Sequence, residues 1–337
     1  MKISAILPVL ATISLLPLSG AAQSSSAYSF LDITSSSHVY GLGGNNICVI
    51  DDDVTLADQN PALIGPELEK QVAATYMLYL GSGNFAGVRY GMGIGDHSAW
   101  AIGLRYLNYG SIDGFDEFGT SIGSFTPTDI VVEGTYSRDI TDRWRGGVNL
   151  KFAYSSYEQY SAAALAADLG VNYYDEEHDL SFSVVLKNMG GQVKRFAEAY
   201  NRVPFDIQLG YMQALGNSPL YISITANNLT RWRIPYYEYN TSSEIKVEPK
   251  SGFFSNLFRH LIFGLEYQPS ERFFVDLAYN YKTRTDMASF NRNILSGFSA
   301  GLGFKVRGFS FGAAYAMPCK SGSTLMVNLE CSIGELM

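Results

Sequence analysis

The sequence is short of charge, of cysteine and of long apolar runs. Only 17% of its 337 residues are charged, whereas 47% are hydrophobic. A soluble enzyme carries nearer a quarter charged residues and a disordered chain far fewer apolar ones, so neither class fits. The three cysteines, Cys48, Cys319 and Cys331, cannot make a complete disulfide framework. One bridge, Cys48–Cys319, stays open, and Cys331 falls at an apolar strand position where a thiol acts as a small hydrophobe. The four histidines, His38, His97, His178 and His260, are dispersed without zinc-ligand spacing. Basic residues are outnumbered, 24 against 32 acidic. That balance disfavours nucleic acid as a partner. Beyond residue 22 no stretch reaches the ~18–20 apolar residues of a membrane-spanning helix.

What is present begins with a signal-peptide pattern over 1–22: Lys2, the apolar run ISAILPVLATISLLPL, and the small residues SGAA ahead of a cleavage point after Ala22. No cysteine follows, so lipid anchoring is not expected. Glycine (33), tyrosine (23) and phenylalanine (20) are abundant, which favours β architecture with many turns.

From residue 71 onward, fourteen runs of about ten residues alternate in period two, from 71–80 to 324–333. In LMVNLECSI, Leu325, Val327, Leu329, Cys331 and Ile333 oppose Met326, Asn328, Glu330 and Ser332. A soluble sandwich alternates too, but here connection length segregates by parity. GIGDHS, TDR, DEEH, GNS, PSE and RG are short, and 109–127, 189–204, 230–259 and 283–294 are long; GSG at 81–83 breaks the trend. Short turns at one end and long loops at the other is the plan of an outer-membrane barrel. Arg89, Arg105, Lys151, Lys187 and Lys305 fall on the small or polar face, the lumen of such a barrel. Trp100, Tyr106, Tyr136, Trp144, Tyr154 and Tyr211 sit near run ends, where an interfacial belt would lie. The fold expected is all-β: a transmembrane outer-membrane β-barrel of about 14 antiparallel strands (71–337) behind an N-terminal plug or hatch (23–70).

Few motifs suggest chemistry. GFSAG (297–301) matches a nucleophile elbow, but it lies within an alternating run with no helix after it. Asp51, Asp52 and Asp53 could bind a hard cation, yet EF-hand spacing is absent. The reading preferred for them is a plug segment whose carboxylates face the basic lumen residues, with Asp53 or Thr55 capping a short helix. YGLGGNN (40–46) lacks the lysine of a phosphate loop. NLT (228–230) and NTS (240–242) are glycosylation sequons, of little meaning in a bacterial barrel. The loop 230–260 holds Arg231, Trp232, Arg233, Tyr236, Tyr237, Tyr239, Phe253 and Phe254, the composition of a protein interface; packing over its own barrel mouth is equally open.

SFLDITSSSHVYGLGGNNICVIDDDVTLADQNPALI (29–64), with the blocks at 109–129, 187–211 and 226–235, resembles the PorQ family of the type IX secretion system over nearly the whole mature chain. The element Asn60-Pro61-Ala62 also resembles the hatch of the related fatty-acid transporter barrels. The resemblance implies fourteen strands and a plug. It implies a non-enzymatic protein without cofactor or metal, in the bacterial outer membrane with its loops at the cell surface. There it would anchor a surface protein like PorZ, with PorU and PorV, in a complex that processes cargo and links it to lipopolysaccharide. The chain ends in SIGELM rather than in the aromatic residue of many bacterial barrels, so its assembly signal departs from that pattern. The alternative is a transporter of a hydrophobic small molecule such as a fatty acid. Lys151, Asp276, Asn280 and Lys305 suggest a wet lumen, which argues against a greasy conduit. An outer-membrane enzyme ranks last, for want of a Ser-His-Asp arrangement.

Overall fold

The computed structural model describes residues 27–79, 82–115, 120–196, 200–234, 237–239, 245–247, 252–286, 294–319 and 322–336. The signal-peptide reading, Tyr236 and the 240–242 sequon lie outside them.

Among the described residues, fourteen antiparallel strands close into one barrel. In chain order they are β1 (Gln71–Tyr79), β2 (Gly83–Ile94), β3 (Ser98–Asn108), β4 (Thr128–Thr141), β5 (Trp144–Tyr157), β6 (Tyr160–Asp175) and β7 (Leu180–Lys194). There follow β8 (Asp206–Ala214), β9 (Leu220–Ala226), β10 (Leu261–Ser270), β11 (Phe273–Asn280), β12 (Phe298–Val306), β13 (Phe309–Cys319) and β14 (Gly322–Ser332). Each strand pairs with the next, and β14 returns to β1 with Cys331 opposite Val72. Every alternating run of the sequence is therefore a wall strand. Closure leaves no unpaired edge, the condition for a sheet to cross a lipid bilayer.

The alternation has a physical cause: one face meets the lumen and the other the surroundings. Val88, Ile102, Leu104, Leu150, Leu277 and Leu302 all point outward and are exposed. A continuous apolar band of this kind is stable only in a non-aqueous medium. Aromatic residues flank it. Trp100 and Tyr136 are cross-strand partners at the short-turn end, with Trp144 nearby in sequence, and Tyr106 and Tyr154 flank Ile130 near the long-loop end. No described helix is long and apolar enough to cross a membrane.

Two irregularities matter. In β7, Ala167 of β6 faces Met189 but Leu169 faces Leu186, so one residue is extra. Lys187 and Asn188 are consequently both buried inward, and Asn188 adopts φ 56°. The spare Asn188 N–H donates to Asp168 at 2.7 Å, which satisfies the bulge. A second extra residue, Val193, follows. The other irregularity is that β11 stops at Asn280, although the alternation continues to Lys282. Asn280 Oδ1 accepts from Thr283 N at 3.1 Å and so starts a helix, Tyr281–Asp286, in which Lys282 pairs with Asp286 at 2.8 Å.

Residues 28–70 run through the lumen. Tyr28, Phe30 and Leu31 pack against Met77, Phe85, Leu107 and Val131 near the long-loop ends of their strands. Val54, Ala57, Ile64 and Leu68 pack against Ala73, Ala99 and Ala101 near the short-turn ends. Between them helix α1 (Ser37–Gly41), capped by Ser36, lies against β12 and β13. Small residues make this approach possible: a Cβ on Gly41 would stand 2.8 Å from the Gly301 Cα.

Candidate functional site

The three aspartates diverge. Asp51 is held in a salt bridge by Lys305 of β12, and its second oxygen stands 3.4 Å from His38 Nδ1. Burial alone would raise the Asp51 carboxyl, but Lys305 and His38 hold it below the usual carboxylate range. Asp53 caps the 3-10 helix Val54–Asp58, accepting from Thr55 N and from Thr55 Oγ1, each at 2.6 Å. Asp52 is exposed and contributes its backbone, its carbonyl accepting from Gln71 Nε2 at 2.6 Å. Of the three, Asp51 is the one that meets a basic lumen residue.

The Asn60-Pro61-Ala62 turn is stitched to the wall. Asn60 Oδ1 accepts from Ala62 N at 2.9 Å, while Nδ2 donates to the Ile47 carbonyl and to Ser183 Oγ of β7, each at 3.0 Å. Two wall glycines admit it. A Cβ on Gly170 would stand 2.0 Å from Asn60 Oδ1, and one on Gly147 2.4 Å from the Pro61 carbonyl. Ser299 of the GFSAG stretch lies inside β12, where its hydroxyl donates to the Gly41 carbonyl at 2.8 Å. It too fastens the plug. Cys48 is a free buried thiol among Ile47, Val185 and Met212, so the Cys48–Cys319 bridge does not form. Burial pushes that thiol up to about 12.

At mid-height the lumen carries a buried ionic layer. Glu133 bridges Arg89 and Arg105. Lys151 pairs with Asp168 at 2.6 Å and donates to Asn188 Oδ1 at 3.0 Å. The plug joins the layer through Asp58, whose Oδ2 stands 3.9 Å from Arg89 Nη2, and through Asn188 Nδ2, which donates to Asp32 at 2.8 Å. Arg89, Arg105, Lys151 and Lys187 are all buried and turned inward, but their carboxylate partners are mostly wall residues. Sequence reasoning did not find Glu133 and Asp168 as partners; each occupied a recognisable lumen-facing position, but pairing is a fact of register.

At the long-loop end, helix α2 (Phe253–Arg259) is fastened by Arg259, which donates to the Ile234 carbonyl at 2.7 Å and pairs with Asp286 at 2.6 Å. Trp232 stacks on His260 and stands 5.4 Å from Phe253. Trp232, Phe253 and Phe254 are exposed, Phe254 by 72%. Arg233 is exposed beside them and Arg231 is half-buried. Tyr237 and Tyr239 fall in a short strand paired with Ile245–Val247.

Two concavities mark the barrel. One of about 420 Å³ opens at the short-turn end among Asp51, Asp52, Glu67, Asp139, Arg143 and Arg145. The other, about 840 Å³, is an apolar depression on the wall at the β7 bulges, lined by Leu150, Phe152, Leu165, Val193 and Gly134. A Cβ on Gly134 would meet nothing within 4 Å. A surface trio, half-buried Asp175 with exposed Glu177 and His178, has donor atoms close enough for a cation, but His178 is 64% exposed and Asp175 already pairs with Arg143.

The chain matches no protein-family model and no curated protein sequence. Solved structures do resemble it. The Pseudomonas putida toluene transporter TodX is similar over 88% of this chain and 97% of its own, with TM-score 0.53 and 10% identity. The Ralstonia pickettii toluene transporter TbuX is similar over 90% and 98%, with TM-score 0.52 and 10% identity. At that identity the likeness is one of fold: a closed fourteen-strand antiparallel barrel of the outer-membrane type.

Proposed function

We propose that the chain is a non-enzymatic outer-membrane transporter of a hydrophobic small molecule. The observation that carries the reading is the shared wall segment of β6. Ala166 contributes to the apolar layer beneath the long-loop mouth and also to the wall depression, where Leu165 and Gly134 lie outside it. The ionic layer and plug obstruct a vertical path for an apolar molecule, since desolvating it past buried charges gains nothing. A sideways exit from the apolar layer into lipid avoids that layer. The bulges in β7 weaken the local ladder where such an exit would form. The resemblance in fold to two toluene transporters supports the class of cargo, an uncharged or weakly polar hydrocarbon-like molecule, without fixing its identity.

The experiment is uptake of radiolabelled toluene and of oleate by cells lacking the protein, restored with wild type or with Gly134→Trp. The substitution fills the depression from outside without touching the plug. Restored uptake with wild type and a severalfold loss with Gly134→Trp, at equal amounts of folded barrel, supports transport. Equal uptake with and without the protein removes the reading.

A second reading is favoured by the exposed aromatic cluster Trp232, Phe253 and Phe254 with Arg233. Clustered aromatics with arginine are the composition of binding hot spots. Together with the sequence resemblance to the PorQ family it suggests an anchor that holds a PorZ-like surface protein beside PorU and PorV, where cargo is joined to lipopolysaccharide. Replacing Trp232, Arg233, Phe253 and Phe254 by serine should then release the partner and leave the barrel folded. Full retention of the partner after that replacement contradicts the anchor.

A further inference from the structure

Glu266 of β10 and Asp276 of β11 are direct cross-strand partners, both turned into the lumen and buried. Like charges directly opposite each other destabilise a sheet, and low local dielectric enlarges the repulsion. The Asp276 side chain is 0% exposed, and among the described residues neither of its oxygens accepts a hydrogen bond. A buried acid pair in that state is relieved by a positive partner or by a proton.

The plug supplies a third donor. His38 Nε2 lies 3.0 Å from Glu266 Oε2 and 3.7 Å from Asp276 Oδ1. All three donor atoms lie within 4.8 Å of one another. Ligands ~2.1 Å from a common tetrahedral or octahedral ion stand ~3–3.5 Å apart, so this triangle is a coordination face drawn slightly open. The imidazole is oriented from two directions. Its face stacks on Phe274, centroids 3.9 Å apart at 17°, which leaves the ring edge free. Its Nδ1 stands 3.4 Å from Asp51 Oδ2, a proximity short of a hydrogen bond, and Lys305 holds that carboxylate. A carboxylate behind a ligating imidazole fixes the tautomer and aims the other nitrogen's lone pair at the metal.

A proton on His38 would answer Glu266 and would still leave both Asp276 oxygens without a hydrogen bond among the described residues. We infer that His38, Glu266 and Asp276 bind a divalent cation of the zinc or manganese class that clasps the plug to the barrel wall. One imidazole with two carboxylates suits these ions better than calcium or magnesium, which prefer all-oxygen shells. Plug docking would then depend on the concentration of metal as well as on protein contacts.

The test uses the full-length mature barrel in detergent, stripped with EDTA and titrated with ZnCl2 and separately with MnCl2. Bound metal is counted by elemental analysis, and unfolding temperature is read from the heat-modifiable gel shift. The expected result is one ion per chain for at least one of the two metals, with a saturable rise in unfolding temperature. Asp51→Asn should weaken binding about 10–100-fold, as loss of an imidazole-orienting carboxylate does. The double variant Glu266→Gln/Asp276→Asn removes the acid pair and should fold without responding to either metal; His38→Ala checks the plug side with both wall carboxylates retained. No stoichiometric zinc or manganese in the wild type, or equal binding by the double variant, overturns the assignment.

Discussion

At the scale of single residues, the plug is held by a few charges of unequal weight. Asp51→Asn removes the partner of Lys305 and His38 and should cost about 1.5–3 kcal/mol of unfolding free energy. Asp52→Lys, at an exposed side chain, should change it by less than about 0.5 kcal/mol. Glu133→Gln strips two buried arginines of their shared carboxylate, and a loss of about 3–5 kcal/mol is expected. Urea titration of the detergent-solubilised barrel measures all three. The metal-free protein should also respond to pH. Burial by itself would lower His38, but Asp276 of β11, Glu266 of β10 and Asp51 of the plug hold it well above its ordinary 6.5, with Lys305 of β12, Asp53 and Glu330 of β14 around them. Because its folded-state value is raised, His38 contributes stability fully below pH 6.5 and loses it only as pH rises through the raised value. Asp51 is lowered, so its contribution is present above 3.8 and disappears only when pH falls through its depressed value. Unfolding temperature in EDTA should therefore be highest in mildly acidic buffer and fall on the alkaline side. With bound Zn2+ that alkaline fall should shrink, because the metal takes neutral imidazole.

At the scale of elements, the wall was legible and the plug's contacts were not. Lipid on one face and a polar lumen on the other impose period two on every strand, and that period is a local property of sequence. The end of β11 escaped because Tyr281 and Lys282 keep the alternation, while the Asn280 cap turns the backbone into a helix. The β7 bulge was hidden for a similar reason: Lys187 and Asn188 differ from a regular strand only in which carboxylate catches the spare N–H. The lumen placement of Arg89, Arg105 and Lys305 followed from parity, but the triad of His38, Glu266 and Asp276 joins residues more than two hundred positions apart. The Asn60-Pro61-Ala62 turn was visible as a motif, yet its docking depends on the absence of side chains at Gly147 and Gly170. Gly170→Val should displace it at a cost of about 1–3 kcal/mol, typical of overpacking. Limited proteolysis should then cut between residues 60 and 70 sooner than in wild type, while the heat-modifiable barrel persists.

At the scale of the whole molecule, an apolar band on the outside and charge at the centre divide the tasks of the chain. The band suits lipid, the ionic layer crosses the lumen, and Ala166 belongs both to the apolar layer beneath the long-loop mouth and to the depression in the bulged wall. This arrangement suits lateral delivery of an apolar molecule better than passage through the lumen. The exposed aromatic patch at the long-loop end shares no residue with the wall depression, so the two proposals can be tested separately. The most direct measurement is toluene and oleate uptake by cells carrying wild type, Gly134→Trp or no protein. Uptake restored by wild type and cut severalfold by Gly134→Trp is the result predicted here. Identical uptake in all three strains would contradict the transport account.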